Sequence, residues 1–144
     1  MTYAFFAIGL SVLSAVGALA VADPAKTTYT LPQDICWLPI TGNGVPRGAY
    51  YAYLRGNPSD ACGSVVINRF PDGFVYPWHI NHEYDLITIL KGTMVLGFDR
   101  QHKKSAERVL PAGSFIQGLA TEPHYGRAVG ETIFEYFSPC PLPK

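Results

Sequence analysis

The chain has 144 residues, which is enough for one domain with a hydrophobic core and too few for two ordinary domains. Its 11 Lys and Arg residues balance 11 Asp and Glu residues, so there is no electrostatic basis for binding nucleic acid or an anionic membrane surface. The 9 Tyr and 8 Phe favour strands, and the 14 Gly and 12 Pro supply turns between them.

The N-terminal segment has the composition of a secretory signal. No charged side chain lies between Tyr3 and Ala22, and the run ends in Ala20-Val21-Ala22, the small-residue pattern that signal peptidase recognises. We therefore expect residues 1–22 to be a signal peptide and the protein to be secreted or periplasmic. The same run is just long enough to span a bilayer, so an uncleaved anchor is the alternative, and a membrane is a partner only in that case. Residues 23–36 are polar and predict an extended leader.

Three cysteines, Cys36, Cys62 and Cys140, follow the predicted signal. An oxidising compartment permits one disulfide among them and leaves one thiol free, and their positions do not choose between the three pairings. Their spacing matches no zinc-binding pattern, so a structural role is expected.

The rest of the chain alternates short strand-like runs with turns. The predicted strands lie at 49–54, 64–70, 74–79, 85–90, 93–98, 114–116 and 132–137. Lys91-Gly92 predicts a hairpin between two of them, and the polar residues 99–107 predict a solvated loop. No run has a helical period with caps, so we predict an all-β domain, either a sandwich or a small barrel.

Side chains suited to proton transfer or metal binding are concentrated just ahead of the apolar run that begins at Asp85. His79 and Asn81 are two residues apart and would share one face of a strand, whereas His82 would point elsewhere unless the strand contains a bulge. Asp85 would return to the face of His79 after a turn. His124 would have to come from a distant strand to complete the set.

This stretch resembles the first motif of the cupin superfamily, in which a glycine precedes two histidines, a glutamate and a second glycine. The positions that match its spacing are Gly73, His79, Asp85 and Gly92. The second cupin motif has a glycine, a proline, a glycine and a histidine, and it is similar in spacing to Gly113, Leu119, Thr121 and His124. The segment 110–115 also resembles the small single-domain cupins of the ChrR-like type.

The resemblance covers residues 37–141 and implies a single cupin domain. Such a domain is a β-barrel, or double-stranded jelly roll of the RmlC-like type, with a pocket inside one open end. The resemblance also implies a small-molecule ligand or substrate, a divalent metal such as Fe, Mn, Zn or Ni, and a homodimer formed through edge strands. It does not imply a reaction, because cupins include oxygenases, isomerases, decarboxylases and sugar-binding modules.

The cupin metal motifs are altered in this chain. The second histidine falls on Asn81 and the glutamate falls on Asp85. The resemblance therefore implies His79, Asp85 and His124 as metal ligands, a set of two histidines and one carboxylate that suits Fe(II). Asn81 would be an additional weak ligand. Two alternatives remain: a bulge at Asn81 turns His82 inwards and restores a third histidine, or the metal site has decayed and these groups are only hydrogen-bonded.

Glu135 is the second candidate for chemistry. It shares one face of its predicted strand with Ile133 and Phe137, and Phe134 and Tyr136 occupy the other face. If the face of Glu135 lines the pocket, desolvation would raise the pKa of its carboxyl and suit it to general acid or base catalysis. A solvent-facing position or an ion pair is the alternative.

Aromatic side chains surround the histidines in the sequence, and some of them are expected to contact a ligand. The predicted pocket residues are Tyr76, Trp78, Tyr125 and Phe137. A pocket of this composition would suit an apolar or planar small molecule.

Three functions are compatible with this pattern. The first is a secreted, metal-assisted enzyme of the oxygenase, isomerase or lyase type, in which the metal polarises a carbonyl or enolate and Glu135 or His82 moves protons. The second is a non-catalytic binding or sensor protein with a decayed metal site. The third is a metal-free isomerase or cyclase in which His79, His124 and Glu135 perform acid-base catalysis.

Overall fold

The computed structural model describes residues 27–42, 44–60, 62–81, 85–101, 103–118 and 121–139. The predicted signal peptide, His82 and Cys140 lie outside these ranges. Within them there is no α-helix, and no helical segment is long and apolar enough to cross a membrane. The predicted all-β class is confirmed.

Eight antiparallel strands make up the described part of the chain. They are β1 (Leu38–Pro39), β2 (Tyr50–Arg55), β3 (Val65–Phe70), β4 (Val75–His79), β5 (Asp85–Gly97), β6 (Glu107–Pro111), β7 (Phe115–Gly118) and β8 (His124–Phe137). Neighbouring strands follow the order β1-β2-β3-β8-β5-β6, while β4 also pairs with β8 and β7 also pairs with β5. Short 3-10 helical turns occur at Pro32–Asp34 and Lys104–Ala106.

The strands β5 and β8 are longer than the sequence pattern predicts. The hairpin predicted at Lys91-Gly92 is wrong, because β5 continues through it for 13 residues, and β8 has 14. Gly92 has a φ of 70°, and the register with β8 shifts on both sides of Lys91. The glycine therefore produces an irregularity inside one strand instead of a turn between two.

The two long strands are shared by both halves of the fold. The first half of β5 pairs with β7, and its second half, from Thr93 to Gly97, pairs with β6. In the same way, β8 pairs with β4 near its start and with β3 near its end. Ile87 and Ile89 from the first half of β5 share one hydrophobic cluster with Met94 and Leu96 from the second. The halves therefore face each other across a common core.

Cys62 is disulfide-bonded, whereas Cys36 is an exposed free thiol. The two pairings that involve Cys36 are therefore excluded. Beside Cys62, the amide of Gly63 donates to the carbonyl oxygen of Ser138 over 2.6 Å. The amide of Ser138 donates to the carbonyl oxygen of Ser64 over 3.4 Å. The segment after Cys62 is thus tied to the end of β8.

A pair of glycine substitutions tests the contact between β5 and β8 at Gly92. Gly92 and Gly113 have φ values of 70° and 88°. A Cβ at Gly92 would lie 2.4 Å from the carbonyl oxygen of Glu131, whereas a Cβ at Gly113 would meet nothing within 4 Å. We expect Gly113→Ala to lower the free energy of unfolding by about 1–2 kcal/mol, the cost of the left-handed backbone. Gly92→Ala should cost about 1–3 kcal/mol more because of the clash.

Urea denaturation of the two variants and the wild-type protein measures both losses. Gly113→Ala is the matched control, since it carries the same backbone strain without the clash. Equal losses in the two variants would contradict the close approach of β8 to Gly92.

Candidate functional site

The barrel encloses a cavity of about 340 Å³. Its wall is mostly apolar and aromatic and is formed by Ile40, Tyr51, Tyr53, Phe70, Tyr76, Ile87, Ile89, Met94, Leu96, Ile116, Gly126, Phe134 and Tyr136. The polar side chains in the wall are Asn68, His79, Asn81 and His124. An apolar cavity of this size with a few convergent polar groups is typical of small-molecule sites.

His79 and His124 form a pair in the cavity wall. The register of β4 and β8 places them opposite each other, and their ring centroids lie 4.3 Å apart. The pairing of β4 is irregular between Tyr76 and His79. Because of this irregularity, the side chains of Tyr76 and His79 both reach the cavity. In a regular strand, residues three apart would face opposite sides. Two of the predicted metal ligands, His79 and His124, are therefore adjacent in the structure.

Both imidazole rings are held through the same nitrogen. Nδ1 of His79 lies 2.8 Å from the carbonyl oxygen of Pro77, and Nδ1 of His124 lies 2.8 Å from that of Glu122. A carbonyl oxygen only accepts, so Nδ1 carries the proton in each ring and donates it. In the neutral rings Nε2 is therefore unprotonated, and its lone pair can take up a proton or bind a metal.

The pKa of His79 lies below its ordinary value of 6.5. Burial has the largest effect and lowers the pKa; the hydrogen bond to Pro77 opposes it, and charge on His124 lowers the pKa further. His79 is therefore neutral at pH 7. A positive charge on His124 would therefore make protonation of His79 still less favourable.

Asn81 and Asp85 lie next to His79. Asn81 lines the cavity and hydrogen-bonds His79, and its Nδ2 donates to the Asp85 carboxylate over 3.4 Å. Asp85 is only 8% exposed and accepts a second hydrogen bond of 2.7 Å from Oγ of Ser138. Asp85 is not part of the cavity wall. Its carboxylate instead orients the amide that stands between it and the imidazole.

The donors present fit a divalent metal only in part. His79 and His124 offer two imidazole nitrogens, and metal-binding histidines commonly donate their other ring N–H to a carbonyl in this way. Among the described residues, however, no group of three or more His, Cys, Asp or Glu side chains is placed to hold a metal ion. Asn81 lines the cavity whereas the predicted ligand Asp85 does not, and the amide of Asn81 is a neutral and weak ligand. The predicted alternative, His82, lies outside the described residues.

Glu135 and Phe137 do not line the cavity. Phe134 and Tyr136 are both in the wall, and since side chains alternate along a strand, Glu135 between them points to the other face. Its carboxyl is therefore not positioned for the predicted proton transfer. Phe137 lies on the same outer face. Among the four aromatic residues predicted for the pocket, Tyr76 is in the wall.

Trp78 and Tyr125 lie outside the cavity wall as well. The irregularity in β4 turns Trp78 outwards, where the guanidinium of Arg100 lies 5.6 Å from its ring centroid. Tyr125 is on the outer face of β8, and its hydroxyl donates to Glu107 over 2.6 Å. Its ring crosses Gly97, where a Cβ would lie 2.0 Å from it. Burial and this hydrogen bond raise the pKa of Tyr125 to about 12, so the hydroxyl remains a structural donor.

Several wall residues were not identified by the sequence pattern. They include Tyr51, Tyr53, Asn68 and Tyr136. Asn68 is the most informative of them, since it is 5% exposed and its Nδ2 has no hydrogen-bond partner within the described part of the chain. Its signal in the sequence is a polar side chain within the strand-forming run Val65–Phe70. Alternation alone does not tell which face of that strand is the inner one.

Antiparallel strands that enclose an apolar cavity with a histidine pair in its wall are the arrangement expected for the cupin fold, the RmlC-like jelly roll. No protein-family model matches the sequence, and no curated protein matches it. Solved structures do match. The polyketide cyclase RemF from Streptomyces resistomycificus is 19% identical, with 83% of each chain covered and a TM-score of 0.64.

Two further structures agree with this fold. An RmlC-like cupin from Shewanella frigidimarina is 17% identical over 81% of this chain and 95% of its own, with a TM-score of 0.60. The structure of SigE with the anti-sigma factor ChrR from Rhodobacter sphaeroides is 17% identical over 76% of this chain and 52% of that chain, with a TM-score of 0.54. The predicted cupin fold is confirmed, and at these identities the likeness extends to the fold alone.

The pH dependence of stability tests the burial of neutral His79. Its pKa is lower in the folded protein than the ordinary 6.5 expected after unfolding. The unfolded state therefore binds more protons as the pH falls below about 6.5, and folding becomes less favourable. We expect the free energy of unfolding to fall between pH 7.5 and pH 5.5 and to fall less in His79→Gln. Urea denaturation across this range measures both slopes, and equal slopes would contradict a buried, neutral His79.

Proposed function

We propose that the protein binds a small planar, largely apolar molecule in its cavity and catalyses proton transfer on it, as an isomerase or a cyclase does. The observation that carries this proposal is the pair formed by His79 and His124. Their rings lie 4.3 Å apart in an apolar wall, and each presents an unprotonated Nε2. Two bases held side by side can remove a proton from one position of a bound molecule and return it to another.

The proposed step keeps its atoms and electrons in balance. Nε2 of one imidazole takes the proton from a carbon next to a carbonyl group and becomes an imidazolium. The electron pair of the broken C–H bond forms the enolate, whose negative charge rests on the carbonyl oxygen. The imidazolium then returns the proton to a different atom of the same molecule, and both imidazoles are neutral again. The reaction needs no oxidant or reductant.

The surroundings of the pair suit this chemistry. The lowered pKa keeps His79 neutral, and so active as a base, at physiological pH. The Nδ1 hydrogen bonds to Pro77 and Glu122 fix the ring planes and stabilise the positive charge that each ring acquires. The likeness in fold to a structure described as a polyketide cyclase is in line with this class of reaction.

A metal-assisted enzyme is the second candidate, and the carbonyl partners of both Nδ1 atoms favour it. His79, His124 and Asn81 would hold a divalent ion, and Asp85 would orient the amide of Asn81. When bound, such an ion would polarise a carbonyl oxygen of the substrate.

We also propose that the protein acts outside the reducing cytoplasm. The disulfide of Cys62 supports this location, because structural disulfides persist in oxidising compartments. It agrees with the signal peptide predicted at residues 1–22 from the sequence. The homodimer implied by the family resemblance stays a prediction.

Hydrogen–deuterium exchange tests the proton transfer without knowledge of the natural substrate. The aromatic ketone α-tetralone holds its carbonyl group close to the plane of a benzene ring, is small enough for the cavity, and has exchangeable protons next to the carbonyl group. We expect the wild-type protein in deuterated buffer to accelerate their exchange, followed by proton NMR, beyond the rate given by the same concentration of free imidazole. His79→Gln and His124→Gln should each lower the acceleration about 100-fold or more.

Glu135→Gln is the matched control for this assay, since it removes a carboxyl that lies outside the cavity wall. It should leave the exchange rate unchanged. Binding of α-tetralone with no acceleration by the wild-type protein would contradict catalysis and favour the non-catalytic binding protein.

Elemental analysis separates the two catalytic candidates. The metal-free proposal expects less than about 0.1 equivalent of any transition metal in protein purified without added metal, and exchange that chelator does not reduce. The metal-assisted candidate expects near one equivalent, lost in His79→Ala and in His124→Ala. Glu135→Ala is the control that should keep the metal. Stoichiometric metal together with chelator-sensitive exchange would overturn the metal-free proposal.

Expression in a secreting host tests the location. We expect the protein in the medium to begin after Ala22 and to contain one thiol, on Cys36, that reacts with an alkylating reagent without reduction. N-terminal sequencing and peptide mass mapping measure both properties. Retention of the full chain in the membrane fraction would support the anchor instead.

A further inference from the structure

Asn68 is a buried polar residue in the cavity wall that the proposed proton transfer does not use. It lies in β3 and is 5% exposed, and its Nδ2 has no hydrogen-bond partner among the residues that the structure describes. A buried amide donor without a partner is costly, and native proteins keep few of them. Since Asn68 lines the cavity, a bound molecule can supply the missing partner.

The neighbours of Asn68 on the wall are aromatic. In the strand register it pairs with Tyr51 of β2 on one side and with Phe134 of β8 on the other. All three residues line the cavity. Directly paired side chains in antiparallel strands lie about 5 Å apart. A planar ring that packs on Tyr51 or Phe134 would therefore bring a substituent on its edge to the amide of Asn68.

We infer that Asn68 determines specificity by binding an acceptor oxygen carried by a planar, otherwise apolar molecule. The unpaired group is an N–H donor, so its partner must be an acceptor. A neutral oxygen, such as that of an aromatic ketone, fits the site better than a carboxylate. No Lys or Arg of the described chain lines the cavity, so no permanent positive charge there would offset the cost of burying a carboxylate.

This inference rests on the proposed function, because it names a property of the molecule on which the histidine pair would act. The two claims depend on different side chains. His79 and His124 lie on β4 and β8 and carry the proton transfer, whereas Asn68 lies on β3 and contributes to recognition. Binding and exchange can therefore be measured separately.

A matched pair of probes tests the role of Asn68. Tetralin has the fused-ring skeleton of α-tetralone and lacks only the carbonyl oxygen. We expect the wild-type protein to bind α-tetralone about tenfold more tightly than tetralin, because the amide is left unpaired by tetralin. Asn68→Leu should weaken binding of α-tetralone about tenfold and leave tetralin unchanged. Isothermal titration calorimetry measures all four affinities.

Two further measurements exclude a merely structural role. Asn68→Leu should keep or raise the melting temperature, since it replaces an unpaired donor by an apolar side chain of similar size. Glu135→Gln changes a side chain outside the cavity wall and should leave the preference for α-tetralone unchanged. If Asn68→Leu does not fold, Asn68→Ala serves the same comparison.

The outcomes distinguish the inference from the function on which it rests. If neither probe binds the wild-type protein, the proposed function is overturned and the inference falls with it. If both probes bind equally well, or if Asn68→Leu weakens both by the same factor, the inference alone is overturned. In that case the exchange assay still decides the role of the histidine pair.

Discussion

The pairing of β5 with β8 is the interaction on which the rest of the structure depends. β5 has β6 and β7 as its other partners, and β8 has β3 and β4, so these two strands join every other strand except β1 and β2 to one framework. The pairing survives two register shifts around Lys91, where Gly92 supplies a backbone conformation that other residues rarely adopt. Because each strand continues through its irregularity, its two halves can line opposite sides of one cavity. A hairpin at this point would have left two separate sheets.

The histidine pair follows from that framework. β8 fixes the position of His124, and the pairing of β4 with β8 then fixes His79 beside it. The backbone carbonyls of Pro77 and Glu122 complete the arrangement, because they determine which nitrogen of each ring is protonated. The tautomer of each imidazole therefore depends on these main-chain groups. In this way both imidazoles are hydrogen-bonded in a wall with few other polar groups.

Alternation along the strands predicts the all-β class because it is a local property, whereas the fold and the convergence of His79 with His124 are implied by the resemblance to the cupin motifs. It does not predict the face on which Glu135 lies, since that depends on which side of β8 the barrel closes. Trp78 is placed outwards by an irregularity in β4 at Pro77, and strand alternation does not predict the side to which Trp78 then turns. Asp85 has the right spacing for a ligand, yet its carboxylate is engaged by Asn81 and by the distant Ser138. Such competition between partners is visible only in three dimensions.

The hydrogen bond from Ser138 to Asp85 has a consequence for where the protein can work. Ser138 is held beside the segment that follows Cys62, and through Asp85 and Asn81 it is linked to the ring of His79. A covalent bond between sulfur atoms at the end of the barrel thus helps to orient a base in its interior. We expect the strands of a reduced chain to persist, while Asn81 loses part of the support that holds it beside His79. The order of the cavity wall at Asn81 would then depend on the redox state of the surroundings.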